Sequence, residues 1–537
     1  MRLNRESCCD ILVIGSGIAG ITAALEGAAA GCSVTLLCRG NLFSGSSFYP
    51  GTWGLGLIGP ADEGDEADLA DTITEVGCRM SDPALVGTFV RGIHPAIERV
   101  RAMGVRLRRA GDGDEKEYIP CFDHKHRDWN GIEFDSAREV FSRKLEEGGV
   151  RVIPHCGVVE LVQDDGRVCG VAALHEGRLR YFGARSVVLA TGGYGSLFRY
   201  HLCTMDVEGV GQSLALKAGA RLVNMEFMQM MPGYISPAYQ TIFNERTFRF
   251  VRLTTGGGEA LLDPEGEAVL DVRATHGPFT TRLPSKVVDL AMFDAFCREP
   301  QGVTASYSEE MRRHPPEFLN AYFDWLKKTH GLTMDDTIRV GIFAHAAHGG
   351  IRIDPAGYTG VPGLFAAGEV TGGMHGADRI GGLSTANGLV FGGIAGRSAA
   401  AHCRSGQEPP EHWEMDAVAA DGCGEAFRQL RDSMSRHAMV RRDEEGLLEG
   451  LSLVCRLREG MKLTPSDSHA AIAETARLRG QLRTAECILR AALLRRESRG
   501  SHYRADHPEL DPAQTEQIVI GLKDGAVCAR FAKDWSD

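Results

Sequence analysis

Two short apolar runs punctuate the start of the chain. Asp10-Ile-Leu-Val-Ile14 and Ser33-Val-Thr-Leu-Leu37 flank an alanine-rich stretch that opens on Gly15-Ser-Gly-Ile-Ala-Gly20. Unbroken apolar runs of this length read as buried strands and the stretch between them as a helix, so the pattern predicts a parallel βαβ unit. Its glycine spacing is that of a pyrophosphate-binding turn. Gly15 permits the tight turn, Gly17 lets the backbone approach phosphate, and Gly20 lets the helix pack close to the strand. The N–H groups opening the helix, at Ile18 and Ala19, then point at negative charge. A ribose-binding acid usually follows the second strand. Cys38-Arg39 stands there instead, which weakens a nicotinamide reading and leaves Arg39 as a candidate cofactor contact.

Further along, the period changes several times. An irregular loop over 41–60 leads into a helical stretch, roughly Glu66–Met103. Around Val150–Ala190 the period becomes two, with strands at Val152–Pro154, Val158–Val162, Val168–Ala172 and Leu179–Phe182. Asp165-Gly166 and Glu176-Gly177 are the expected hairpin turns. Ser186–Ala190 returns as a buried strand and runs into Thr191-Gly192-Gly193. Residues 236–336 differ in texture, with turns, charges and a helical end at Pro316–Thr329, and read as an inserted cap. Strand-like and glycine-rich text resumes at Ile338–Gly350 and continues to about Ala401. Ser405–Pro410 reads as a linker, and the chain beyond it has a helical period through Arg499. The expected class is α/β: a Rossmann-like cofactor domain in two parts (1–235 and 337–404), an α+β cap inserted at 236–336, and a helical domain over 411–537.

Composition narrows the partners. The net charge of −12 and the lack of a basic block disfavour nucleic acid and anionic membranes. No apolar signal opens the chain, and the uncharged runs Phe227–Asn244 and Ile380–Gly396 are broken by Gly, Pro, Gln or Asn. The expectation is a cytoplasmic protein with no membrane span. The 15 cysteines include no Cys-x-x-Cys, so no metal site is expected of this chain alone. The histidines within Asp123–Asp128 alternate with Lys and Arg, which reads as a solvated loop.

Several ordered motifs point to one family. The Gly15–Gly20 turn is joined by Ala190-Thr-Gly-Gly193, Met225-Glu-Phe-Met-Gln229, Gly349-Gly350, Gly363–Val370, His375–Gly382 and Glu497–Asp506. Together the set resembles the flavoprotein subunits of fumarate reductase and succinate dehydrogenase, and L-aspartate oxidase. The resemblance implies FAD, with its pyrophosphate over Gly15–Gly20 and further contacts from the Gly45-Ser46-Ser47 loop and Ala190–Gly193. It implies that Glu369 binds a ribose, that His375 lies near the flavin, and that the Gly382–Ser384 turn starts a helix aimed at the flavin's electron-accepting edge. The membrane-bound members attach FAD through a His in the loop matching residues 44–54. No His occurs there in this chain, so FAD is expected to be non-covalent.

The same resemblance exposes departures at the substrate. His345, before Ala-Ala-His-Gly-Gly, and Arg379 match the family's carboxylate-binding residues. Met231 replaces a substrate-contacting His, Thr255 replaces a proton-relaying Glu, and Ser285 stands where the family's catalytic Arg would be. Arg282 and Lys286 flank Ser285 and are the provisional proton donors. Met228, Met230 and Met231 imply a softer, less polar pocket that suits a carboxylate substrate other than fumarate. Three functions are therefore expected in this order: an FAD-dependent oxidoreductase acting beside a carboxylate, an L-aspartate-oxidase-like amino-acid oxidase, and an electron-transfer flavoprotein that docks an iron–sulfur partner.

Overall fold

The structure is a computed structural model that describes residues 1–52, 54–109, 121–123, 125–316, 319–404 and 407–532. His124 of the polar cluster, residues 317–318 of the anticipated cap helix, and Ser405 and Gly406 of the linker lie outside them. The βαβ unit is present as β1 (Arg2–Ile14), α1 (Ile18–Ala29) and β2 (Val34–Leu37). The two strands are parallel, with Ile11 opposite Val34 and Ile14 opposite Leu37. Ile11, Leu12 and Val13 are fully buried, each worth about 1.5–3 kcal/mol of transfer free energy.

The helical stretch forms two helices, α2 (Asp65–Val76) and α3 (Pro83–Ala102). Cys78 and Arg79 adopt left-handed backbone between them, and Asp82 recaps the chain by accepting from Ala84 N at 2.8 Å. The period-two region forms β3 (Arg151–Ile153), β4 (Gly157–Asp164), β5 (Arg167–His175) and β6 (Arg178–Leu189). Both hairpins turn where expected: Asp165, Gly166, Glu176 and Gly177 all have positive φ, as primed turns require. The two strands expected at 179–182 and 186–190 are one continuous strand. Gly183 does not break it because it pairs on both sides, with Cys8 and with Gly170. The sheet order is β3-β2-β1-β6-β5-β4, with the strand Leu364–Ala366 also beside β6.

A second sheet joins β7 (Met228–Ser236), β8 (Val251–Thr254), β9 (Val303–Tyr307) and β10 (Ile338–Ala347) in the order β7-β10-β9-β8. Strands β8 and β9 and the helices α4 (Lys286–Arg298) and α5 (Asn320–His330) belong to the residues between 236 and 338. Helix α6 (Leu383–Cys403) returns to the first sheet and lies directly on α1. Side chains at Gly388, Gly392 and Gly396 would meet Ile18, Ala19 O and Ala23 O at 2.6, 2.5 and 2.5 Å, so this glycine row sets how closely the helices approach.

Helices α7 (Cys423–His437), α8 (Glu444–Glu459) and α9 (His469–Leu494) follow. After them comes a hairpin that helical periodicity did not reveal, β11 (Gln517–Lys523) and β12 (Ala526–Ala532). It turns at Asp524-Gly525 and pairs Val519 and Ile520 with Val223 and Leu222. Between α9 and β11, Arg495, Glu497 and Arg499 form a buried ionic cluster with Glu226. The segment 497–506 is thereby bolted to the Met225–Gln229 motif. No described helix is long and apolar enough to cross a membrane.

Candidate active site

The carboxyl end of β1, the start of α1 and the start of α6 open onto one cavity of about 350 Å³. Gly15, at φ +109°, makes its first wall. A side chain there would strike Ala190 O at 2.2 Å, so only glycine lets β1 and β6 end side by side. Gly20 does not line the cavity; it lies beneath, where a Cβ would meet Gly15 O at 1.8 Å. Gly17, Ile18 and Ala19 present the N-terminus of α1, and Ser47 Oγ already accepts from Ile18 N at 3.2 Å.

Of the other anticipated cofactor contacts, Arg39, Gly45, Ser46, Ser47, Ala190, Thr191, Gly192, Glu369, Gly382 and Ser384 all line this cavity. Gly193 is packed behind it, where a side chain would meet Glu369 Oε1 at 2.5 Å. Glu369 is held by Ala347 N, which donates to Oε1 at 2.9 Å, and burial raises its pKa. His375 is buried outside the lining. Its Nε2 stands 3.4 Å from Asn387 Nδ2, and its ring lies 6.0 Å from that of His348. Arg39 faces Glu208 at 3.5 Å, an acid that no sequence motif singles out.

The residues fit an FAD. Two stretches of glycine-lined backbone meet at a helix N-terminus, as a pyrophosphate needs. Thr191 Oγ1, buried on the wall, has no hydrogen-bond partner among the described residues. Gly382, left-handed at φ +79°, starts α6 on the same cavity.

Farther along the cavity lie Arg379 and His345. Arg379 Nη2 donates to Gln229 Oε1 at 2.7 Å, and Gln229 Nε2 donates back to Arg379 O at 3.2 Å. This reciprocal pair, on a motif noticed in the sequence without a role, fixes the guanidinium while leaving its charge uncompensated. Arg379 Nε has no hydrogen-bond partner, and no ion pair to Arg379 occurs among the described residues. Its neighbour Asp378 accepts instead from Thr280 Oγ1 at 2.6 Å and faces Arg282 at 4.0 Å. Burial lifts the Asp378 carboxyl to about 7. His345 projects from β10 with Nδ1 unpartnered; burial and then the Arg379 charge hold its pKa down to about 3. It is a neutral imidazole. His348, three residues on, is off the cavity.

The turn expected to supply a proton is arranged differently. Ser285, Arg282 and Lys286 do not line the cavity. Ser285 is fully buried and its Oγ lies 2.8 Å from His276 Nε2. Arg282 stacks near Phe122 at 5.7 Å, and Lys286 begins α4. Of the three methionines only Met231 faces the cavity; Met228 and Met230 are core. Cys121 and Glu245 also line it, and no sequence pattern marked either one.

The comparisons with known proteins agree with this geometry. A family model described as an FAD binding domain matches residues 10–385, and one described as fumarate reductase flavoprotein C-term matches residues 427–526. The chain is 30% identical to one subunit of the fumarate reductase (CoM/CoB) of Methanothermobacter marburgensis, over 96% of this chain and 97% of that one. It is also 30% identical to "L-aspartate oxidase" of Caulobacter vibrioides, covering 95% of each. The solved structure of Mycobacterium smegmatis Sdh1 in complex with UQ1 superposes with a TM-score of 0.81 at 24% identity, covering 99% of this chain and 94% of that one, a likeness of fold. With a glycine cradle, a buried clamp and full-length matches of this kind, the chain belongs to the fumarate reductase and L-aspartate oxidase family of FAD-dependent oxidoreductases.

Proposed function

We propose that this oxidoreductase acts on a carbon–carbon or carbon–nitrogen bond next to a carboxylate, and that fumarate is a poor substrate. The observation that carries the reading is Arg379: a buried guanidinium on the cavity wall, oriented by a neutral amide and lacking a counter-ion among the described residues. A buried cation in that condition is stabilised by an anionic ligand. His345 beside it is neutral and offers hydrogen bonding without a second charge. The chemistry FAD supplies when bound is hydride exchange at N5. The chain's own part is to hold the carboxylate at Arg379 and His345 and to supply a proton. We assign that proton to the 282–286 turn, with Arg282 foremost because it reaches the Arg379 loop through Asp378. Ser285 is committed to His276 and Lys286 stands off the cavity, so both act by shaping the turn. Residues 236–336 serve as the cap. FAD is held non-covalently, since Ser44–Tyr49 contains no His.

The experiment is anaerobic. The flavin is photoreduced, and fumarate and a series of 2-enoates are added one at a time while the flavin absorbance is followed. Reoxidation by a monocarboxylate and not by fumarate is expected; rapid reoxidation by fumarate overturns the reading. A second reading, favoured by the full-length similarity to an L-aspartate oxidase, is an amino-acid oxidase, and peroxide release with L-aspartate in air would reveal it. The full-length likeness to one component of a fumarate reductase favours a third, an iron–sulfur partner docked on this chain, which co-purification would reveal.

A further inference from the structure

Glu245 opens the short turn Glu245–Phe250, whose start is held by Asn244 Oδ1 accepting from Arg246 N at 3.0 Å. Its carboxylate lines both the main cavity and an adjoining chamber of about 320 Å³, the two meeting at Cys121, Gly381 and Gly382. Cys121 Sγ donates to Glu245 Oε1 at 3.3 Å, and burial keeps that thiol protonated. A side chain at Gly277 would lie 3.0 Å from Met231 Cε and 3.6 Å from Glu245 Oε2, so the carboxylate and the methionine tip meet over one glycine. No ion pair to Glu245 occurs among the described residues. Other carboxylates on this cavity are engaged elsewhere: Glu208 with Arg39 and Arg477, and Glu369 with Ala347 N.

One wall of the substrate region thus carries an unneutralised cation, Arg379, and another carries an unneutralised anion. We infer that Glu245 determines specificity by excluding substrates with a second carboxylate and favouring those whose far end is a cation or hydrogen-bond donor, such as an ammonium group. This rests on the reading of Arg379 as the carboxylate clamp. The loss of the family's histidine at Met231 acts in the same direction, because it removes a donor for a second carboxylate while Glu245 adds a like charge.

Three probes of similar length test it on the FAD-loaded protein: succinate, butyrate and 4-aminobutyrate, each titrated against the flavin absorbance. The wild type is expected to bind 4-aminobutyrate about tenfold or more tighter than succinate, with butyrate between them. Glu245→Gln should raise succinate affinity and lower that of 4-aminobutyrate by about tenfold each, leaving butyrate unchanged, while Glu245→Asp keeps the wild-type order. Succinate binding as tightly as 4-aminobutyrate in the wild type, or a ratio unmoved by Glu245→Gln, overturns the inference with no demand on any other variant. If instead Arg379→Ala binds all three as the wild type does, or the wild type binds none, the clamp reading itself falls.

Discussion

Arg379 and Arg495 are both buried arginines, and the chain treats them in opposite ways. Arg495 Nε donates to Glu226 Oε1 at 2.7 Å, Nη1 to Glu497 Oε1 at 2.9 Å and Nη2 to Glu516 O at 2.9 Å. Glu497 in turn accepts from Arg499 Nε at 2.7 Å and Nη2 at 3.0 Å. Every charge there is answered within the fold. Arg379 receives one neutral amide, keeps Nε free, and has an adjacent acid that turns away toward Thr280 and Arg282. A buried cation costs several kcal/mol unless paired, so the first arrangement holds the structure together, and the second holds a charge ready for an anion. Burial alone would not separate them; the partner inventory does.

The contrast can be broken from either side. Glu497→Gln removes the acid shared by Arg495 and Arg499 and should cost about 3–5 kcal/mol, read as a lower urea midpoint, because it strands buried charge. Kinetics of the surviving folded protein should change little. Asp378 sharpens the comparison through pH. Its carboxyl, at about 7 when folded and 3.8 otherwise, keeps its proton in the fold over a range where the unfolded chain has released it. Stability from this group is therefore fully present below pH 3.8 and is lost as pH rises toward 7, by at most about 4 kcal/mol. Asp378→Asn should flatten that fall, seen as a smaller difference between urea midpoints at about pH 5 and about pH 8. Arg379→Ala should lower kcat/KM by about 10²-fold, near 3 kcal/mol, with no loss of thermal stability. A large drop in melting temperature instead would place Arg379 in the same class as Arg495.

The cofactor end could be read from the sequence because its requirements are local. A strand, a glycine turn and a helix lie within Asp10–Ala29, and the spacing of Gly15, Gly17 and Gly20 already encodes where backbone must meet phosphate. Both hairpins of the period-two region are local in the same sense. The substrate end was only half visible. Arg379 and His345 sit in recurring motifs, whereas Cys121 and Glu245 belong to none, and their meeting is a long-range contact between residues 124 positions apart. Ser285 shows the converse: sequence position put it at the reaction, and the fold committed it to His276.

The chain's order of apolar runs and glycines dictated the βαβ unit, the hairpins and a cofactor cradle, since those depend on neighbours a few residues away. The tertiary structure alone decided which of two histidines faces the cavity, which of three methionines is wall and which core, and that the last hairpin closes back on Leu222 and Val223. It also decided which buried charges are answered. Each of these is settled by packing between segments far apart in the chain, where periodicity carries no information.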